Sequence, residues 1–232
     1  MKHAANQGAA GLLNRATGIG AGLMSRGFMT ASGVPKRVPN MCLGMRTSIA
    51  GCKFIFGIEV GPFKSKTAHL HWPGGASGVT LGPGYDMKDR SAAKIKADLM
   101  EIGVAESDAD AAAEGAGLKG SDAEDFADDN SDLLSLTDDQ QIALLKQIVG
   151  HYEAIVNRNI HIQLKQYEFD ALVCFAYNPG GSFTSVARKV DADDMEAAAA
   201  IMKKRVISGG KAMKGLVNRR GKETNLLLHA TY

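Results

Sequence analysis

Gly78-Val-Thr-Leu-Gly-Pro-Gly-Tyr-Asp86 is the stretch whose reading decides the fold. With His71-Trp-Pro-Gly-Gly-Ala-Ser77 before it, short apolar pieces alternate with turn residues, which predicts a small hairpin or β-meander. Strand alternation sets Thr80 on one face, and the glycines let a polymer come close to the backbone. A hydroxyl, Thr80, and a carboxylate, Asp86, are thereby held six residues apart on tight backbone. Asp86 can also cap a helix near Met87, and Thr80 can be a plain β-branched strand former.

Upstream lies Phe54-Ile-Phe-Gly-Ile-Glu59-Val. Ile49, Phe54, Ile55 and Ile58 give a short amphipathic helix ending near Gly61-Pro62. A carboxyl held against apolar walls has its charged form disfavoured, so its pKa rises. Such a group can donate a proton near neutral pH. An ordinary solvent-facing glutamate is the alternative. Hydrolysis of a glycosidic bond needs two carboxyls flanking it, and a helix-borne Glu59 with a hairpin-borne Asp86 supplies such a pair.

Downstream the pattern is helical. Ser91 caps a helix through Ile95, Leu99 and Ile102 that ends at Gly103. Residues 107–132 form short acidic, Ala-rich helices. Thr137-Asp-Asp-Gln140 is a capping box before Ile142, Leu144, Leu145, Ile148 and Val149. A helix with Phe169, Leu172, Val173 and Phe175 stops at Asn178-Pro-Gly-Gly181. Asp191–Lys204 is a further helix, and Leu216–His229 is the last. The fold class is α+β, mostly helical.

The 232 residues are 45% hydrophobic and 22% charged, in the range of ordinary globular chains. The charge is unevenly spread. No acid precedes Glu59, Glu106–Asp139 has Lys119 as its only base, and Lys203–Lys222 holds eight Lys or Arg and no acid. The asymmetry points to an anionic partner near the basic segments. No apolar run reaches the roughly 20 residues of a membrane span, and the Ala/Gly-rich start is broken by Arg15 and Arg26, unlike a secretion signal. Three cysteines without a CxxC indicate neither zinc nor a disulfide framework, although Cys42 and Cys52 could pair. His69 and His71 alternate on a strand without a third metal ligand beside them. Neither a cofactor nor a nucleic-acid partner is expected.

Glu59 followed by the Gly78–Asp86 hairpin resembles the active-site pattern of phage-type lysozymes, and most closely their pesticin-like branch. Gln166-Tyr-Glu-Phe-Asp-Ala-Leu-Val-Cys-Phe-Ala-Tyr-Asn-Pro-Gly-Gly181 is similar to the long central helix of those enzymes and the turn after it. Gly215-Leu-Val-Asn-Arg-Arg220, with Glu223 beyond, looks like their C-terminal signature. The resemblance covers roughly residues 50–232. It implies a lysozyme-like fold over 47–232: a small hairpin lobe (47–90), a larger helical lobe (91–232) and a glycan cleft between them. Residues 1–46 are left as a basic, Gly/Ala-rich leader or linker.

The implied activity is that of an N-acetylmuramidase, splitting the β-1,4 bond between N-acetylmuramic acid and N-acetylglucosamine in bacterial peptidoglycan. Glu59 is then the general acid, Thr80 helps hold the attacking water, and Asp86 activates that water or stabilises the cationic transition state. In the better-known phage pattern the Asp precedes the Thr; here Trp72-Pro-Gly-Gly-Ala-Ser77 carries no acid, and Asp89 is the competitor of Asp86. Inversion at the anomeric carbon, which the relatives suggest, sets the carboxyls about 6.5–9.5 Å apart. Tyr85 and Trp72 either stack on sugars or pack under the hairpin. Tyr177 and Asn178 line the cleft by resemblance, with Asn178 as a helix cap the alternative. Arg219 and Arg220 either meet substrate carboxylates or form salt bridges.

The chain also looks like the lysozyme modules of type VI secretion effectors such as the TseP-like proteins. That implies action in a target cell's periplasm, an immunity protein, and a secretion apparatus or upstream domain as partners. A phage endolysin, a lytic transglycosylase and a catalytically silent glycan-binding module are the other readings.

Overall fold

In a computed structural model of the chain, the described residues are 28–29, 35–36, 44–61, 64–181, 183–208 and 210–232. Within the leader, β1 (Phe28–Met29) pairs antiparallel with β2 (Pro35–Lys36). Cys42 and its pairing with Cys52 lie outside the described residues; Cys52 is a buried free thiol.

Helix α1 (Ile49–Glu59) starts at Ser48, whose hydroxyl accepts the Gly51 amide at 2.9 Å. Two buried carboxylates hold this end. Asp170 accepts from the Ser48 amide (3.0 Å) and hydroxyl (2.5 Å). Glu153 accepts from the Thr47 amide and from Arg46, both at 2.8 Å. A Cβ at Gly51 would sit 2.5 Å from Asp170 Cγ, so this position must lack one. The anchored helix delivers Glu59 roughly 16 Å further along its axis, at 1.5 Å per residue.

After the short α2 (Lys64–Thr67), β3 (Thr80–Leu81) and β4 (Tyr85–Asp86) form the expected hairpin. Thr80 is paired with Asp86 and Leu81 with Tyr85, and His71 bridges to Thr80 on the other side, which completes a small meander. Ser91 caps α3 (Ala92–Glu101) as its sequence predicts. Helices α4 (Glu106–Ala113) and α5 (Ser121–Asp129) follow. Leu70, Val79, Leu81, Tyr85, Ile95 and Leu99 share one core with these helices.

Helix α6 (Asp138–Asn159) begins with the Thr137–Gln140 capping box and runs 22 residues, about 33 Å. Leu144 enters the hairpin core, while Leu145, Val149 and Val156 enter a second one, so α6 ties the two lobes together. The long helix is therefore α6, not the 166–181 stretch. That stretch is the 12-residue α7 (Gln166–Tyr177), buried through most of its length in the second core.

The chain ends with α8 (Thr184–Asp191), α9 (Met195–Lys203), the β5 (Ile207–Ser208)–β6 (Lys211–Ala212) hairpin and α10 (Lys214–His229). The helix expected over 191–204 is thus cut at its start: Asp193 takes a positive φ of 56° and Asp194 caps α9. The lobes also divide differently from the chain order. Helix α1 packs on α6 and α7 in the large lobe, whereas α3, α4 and α5 side with the hairpin.

Candidate active site

Glu59 closes α1 with its side chain 19% exposed. Its Oε1 accepts from Arg219 of α10 at 2.5 Å. Arg219 also donates from Nε to Glu223 (2.8 Å) and from Nη2 to the Cys174 carbonyl (3.0 Å). Glu223, fully buried, takes Arg220 on its other oxygen at 2.5 Å. Two guanidiniums thus face two carboxylates, and the buried charges are paired rather than isolated. Burial pushes the Glu59 carboxyl above the ordinary 4.5, and the adjacent Arg219 charge only partly opposes this. The apolar setting of Phe54–Val60 predicts that direction.

Tyr177, the last residue of α7, reaches the hairpin. Burial, and next the Glu59 charge, raise its phenol, and the phenol donates to the Pro83 carbonyl at the hairpin tip. Gly84 is needed there, with φ +114° and only 2.7 Å between a would-be Cβ and Tyr177 Oη. Tyr152 of α6 lies 4.5 Å from the Tyr177 ring, and burial and then the Glu59 charge raise its phenol too.

On the hairpin, Thr80 is 3% exposed and its hydroxyl donates to the Gly78 carbonyl at 3.1 Å. Across the ladder, Asp86 accepts the Lys88 amide (2.9 Å) and the Gly78 amide (3.3 Å), with Lys88 Nζ 3.8 Å away. A Cβ at Gly78 would lie 2.6 Å from Asp86 Oδ1. Thr80 and Asp86 are therefore direct cross-strand neighbours. Asp89 is exposed in the turn that follows.

The weaker sequence candidates separate clearly. Tyr85 is fully buried, its hydroxyl donating to Asp98 at 2.6 Å and Arg90 covering its ring at 4.2 Å. It has no free face for a sugar. Alternation explains why: if Asp86 faces outward, Tyr85 faces the core. Arg219 is 7% exposed and engaged with Glu59 and Glu223, so it is the partner of the candidate acid rather than a free hand for substrate carboxylates. Arg220 is likewise spent, on Glu223, the Arg205 carbonyl and the Asn178 carbonyl. Asn178 is the C-cap of α7 and its side chain is exposed. It lines a cavity of about 610 Å³ together with Ile58, Gly61, Met213, Asn218 and Lys222. This cavity opens beside Arg219, within the large lobe, and the β3–β4 hairpin does not line it.

Sequence reasoning missed two anchors of α1 and weighed His71 only as a metal ligand. Asp170 and Glu153 anchor α1 from more than 100 residues away. His71 joins the Thr80–Asp86 row. Its Nδ1 lies 2.9 Å from the His69 carbonyl. Among the described residues, no three His, Cys, Asp or Glu side chains gather in a way that could hold a metal ion.

The two-lobed architecture is a lysozyme-like fold. A solved endolysin from Escherichia coli O157:H7 phage FAHEc1 superposes with a TM-score of 0.52 at 22% identity, over 82% of this chain and 97% of that one. Residues 54–169 match the family described as "Domain of unknown function (DUF8812)", and the chain belongs to that family. Among curated proteins it is 35% identical over 109 residues to an endolysin of Bacillus phage PZA. It is 34% identical over 96 residues to one of Bacillus phage B103. These matches cover 46% and 40% of this chain, and 42% and 36% of the two relatives, so the chain spans less than half of their length.

Proposed function

We propose that this chain is a peptidoglycan hydrolase, an N-acetylmuramidase that cuts the β-1,4 bond between N-acetylmuramic acid and N-acetylglucosamine. The observation that carries the reading is Glu59, a carboxyl pushed above its ordinary pKa by burial, in a fold whose hairpin pairs Thr80 with Asp86 and is held at its tip by Tyr177, a phenol that feels the Glu59 charge. Endolysins among the relatives support it. Glu59 protonates the leaving oxygen, Thr80 holds water, and Asp86 stabilises the cationic centre with inversion of configuration. The exposed Asn178 amide suits an acetamido group.

The resemblance to the lysozyme modules of type VI secretion effectors supports an injected antibacterial effector that acts in a target cell's periplasm and is neutralised by an immunity protein. Both matched curated relatives are phage endolysins, and that favours, as a second reading, delivery by the endolysin route. Among the described residues no helix is long and apolar enough to cross a membrane.

Mass spectrometry of muropeptides released from purified peptidoglycan tests the reaction. Fragments with reducing N-acetylmuramic acid ends are expected. Anhydro ends would replace hydrolysis by transglycosylation, and no release at all would leave a glycan-binding module.

A further inference from the structure

The hairpin carries a third polar residue in line with Thr80 and Asp86. Leu70, Val79, Leu81, Tyr85 and Met87 all belong to the small-lobe core, and Trp72 packs against it. Strand side chains alternate, so His71, Thr80 and Asp86 share the opposite face. His71 bridges to Thr80, and Thr80 pairs with Asp86, so the three stand side by side across the meander.

The hydrogen bonds around this row give each member a different capacity. Thr80 gives its proton to the Gly78 carbonyl, so its oxygen is left to accept. Asp86 holds backbone amides on both oxygens, Lys88 on one and Gly78 on the other. His71 places Nδ1 at 2.9 Å from the His69 carbonyl, and a carbonyl only accepts, so Nδ1 carries the hydrogen. In the neutral ring Nε2 then has a lone pair. Burial holds the imidazole below its ordinary 6.5, with the His69 bond opposing and Lys66 adding to the effect. The titratable groups around it are Lys66, His69 and, beyond Thr80, Asp86 with Lys88. Glu124, Asp128 and Asp132 share a groove of about 360 Å³ with it.

The geometry points to His71 as the proton acceptor for the attacking water, with Thr80 as the oxygen that orients it. This rests on the hydrolase reading and adds a residue to it. In the step, the Glu59 proton passes to the glycosidic oxygen as that oxygen leaves the anomeric carbon. The water oxygen bonds to the carbon, and one water proton moves to His71 Nε2. Asp86, on the same face, offsets the imidazolium charge until the proton is lost to solvent and Glu59 regains one.

The test is kcat/KM against pH on purified peptidoglycan, for the wild type and His71→Gln. The wild-type rate falls on the acid side as His71 becomes protonated. His71→Gln is expected to lose about 10²-fold or more and to lose that acid limb, while the alkaline limb set by Glu59 persists. The nitrogen-15 spectrum of the His71 ring in the wild type provides a readout independent of any variant's folding: an unprotonated Nε2 is expected in the neutral form. An Nε2–H tautomer overturns the assignment, as does a His71→Gln protein with wild-type rate and acid limb. A wild type that releases no muropeptides overturns the hydrolase reading and this assignment together, whereas an active wild type with an equally active His71→Gln overturns this assignment alone.

Discussion

Glu59 and Asp86 are both partly exposed carboxylates of the candidate site, yet opposite means hold them. Glu59 is governed from afar: its partner Arg219 is 160 residues away on α10, and its helix is anchored by Asp170 and Glu153 from α7 and α6. Asp86 is governed locally, by the amides of Gly78 and Lys88, eight and two residues away. The acid side of the site is thus a property of the whole fold, and the hairpin side a property of one turn. Changes that loosen the helical lobe should reach Glu59 and spare Asp86; changes within 71–88 should do the reverse.

The strongest way to break that contrast is Arg219→Met. It takes one of two guanidiniums from Glu223 and strips Glu59 of its bonded cation, and removing one member of a buried ionic cluster costs about 3–5 kcal/mol. Denaturant unfolding should show that loss. The alkaline limb of the activity profile should also move to higher pH, because the charge that lowers the Glu59 pKa is gone. A limb that stays in place would detach Glu59 from that limb. Next is Gly78→Ala, where the new Cβ meets Asp86 Oδ1 and Lys88 Cβ at 2.6 Å and the Lys88 amide nitrogen at 2.8 Å. Overpacking of this kind costs about 1–3 kcal/mol, and the loss of activity should come without a shift of the Glu59 limb.

Tyr177→Phe removes a hydrogen bond from α7 to the hairpin tip. About 1 kcal/mol of stability should go with it, and amide exchange should quicken around Gly82–Gly84 but not in α1. The smallest effect concerns Glu59 itself. Its folded pKa is raised, so its ionised form favours the unfolded chain. Glu59→Gln should therefore melt at or slightly above the wild-type temperature at pH 7. The gap should close as pH falls below the ordinary 4.5, where both states hold the proton. A clearly lower melting temperature at pH 7 would mean that the Arg219 pairing outweighs the burial cost.

How much of this was legible in the sequence follows the same division. Local signals were sound: the Ser91 cap, the Thr137–Gln140 box, the Gly-rich hairpin and the apolar surroundings of Glu59 are each written within a few neighbouring residues. The anchors of α1 were not, because nothing near Asp170 or Glu153 announces a partner more than 100 residues away. Arg219 was singled out, but burial decides between a salt bridge and a substrate contact, and burial is a tertiary property. Tyr85 was left open between stacking on a sugar and packing under the hairpin, and it packs. Once Asp86 is set facing outward, period-2 alternation sends Tyr85 inward, so the information was present and only the parity was unused. His71 needed the strand register, which the pairing with Thr80 alone reveals.

The central claim is that Glu59 is the proton donor in glycan hydrolysis. Release of reducing ends from purified peptidoglycan by the wild type and by Glu59→Gln, compared at one pH with folding checked by circular dichroism, tests it most directly. The account predicts a folded variant slowed by about 10²–10⁴-fold. A folded Glu59→Gln protein that releases reducing ends at the wild-type rate would contradict it.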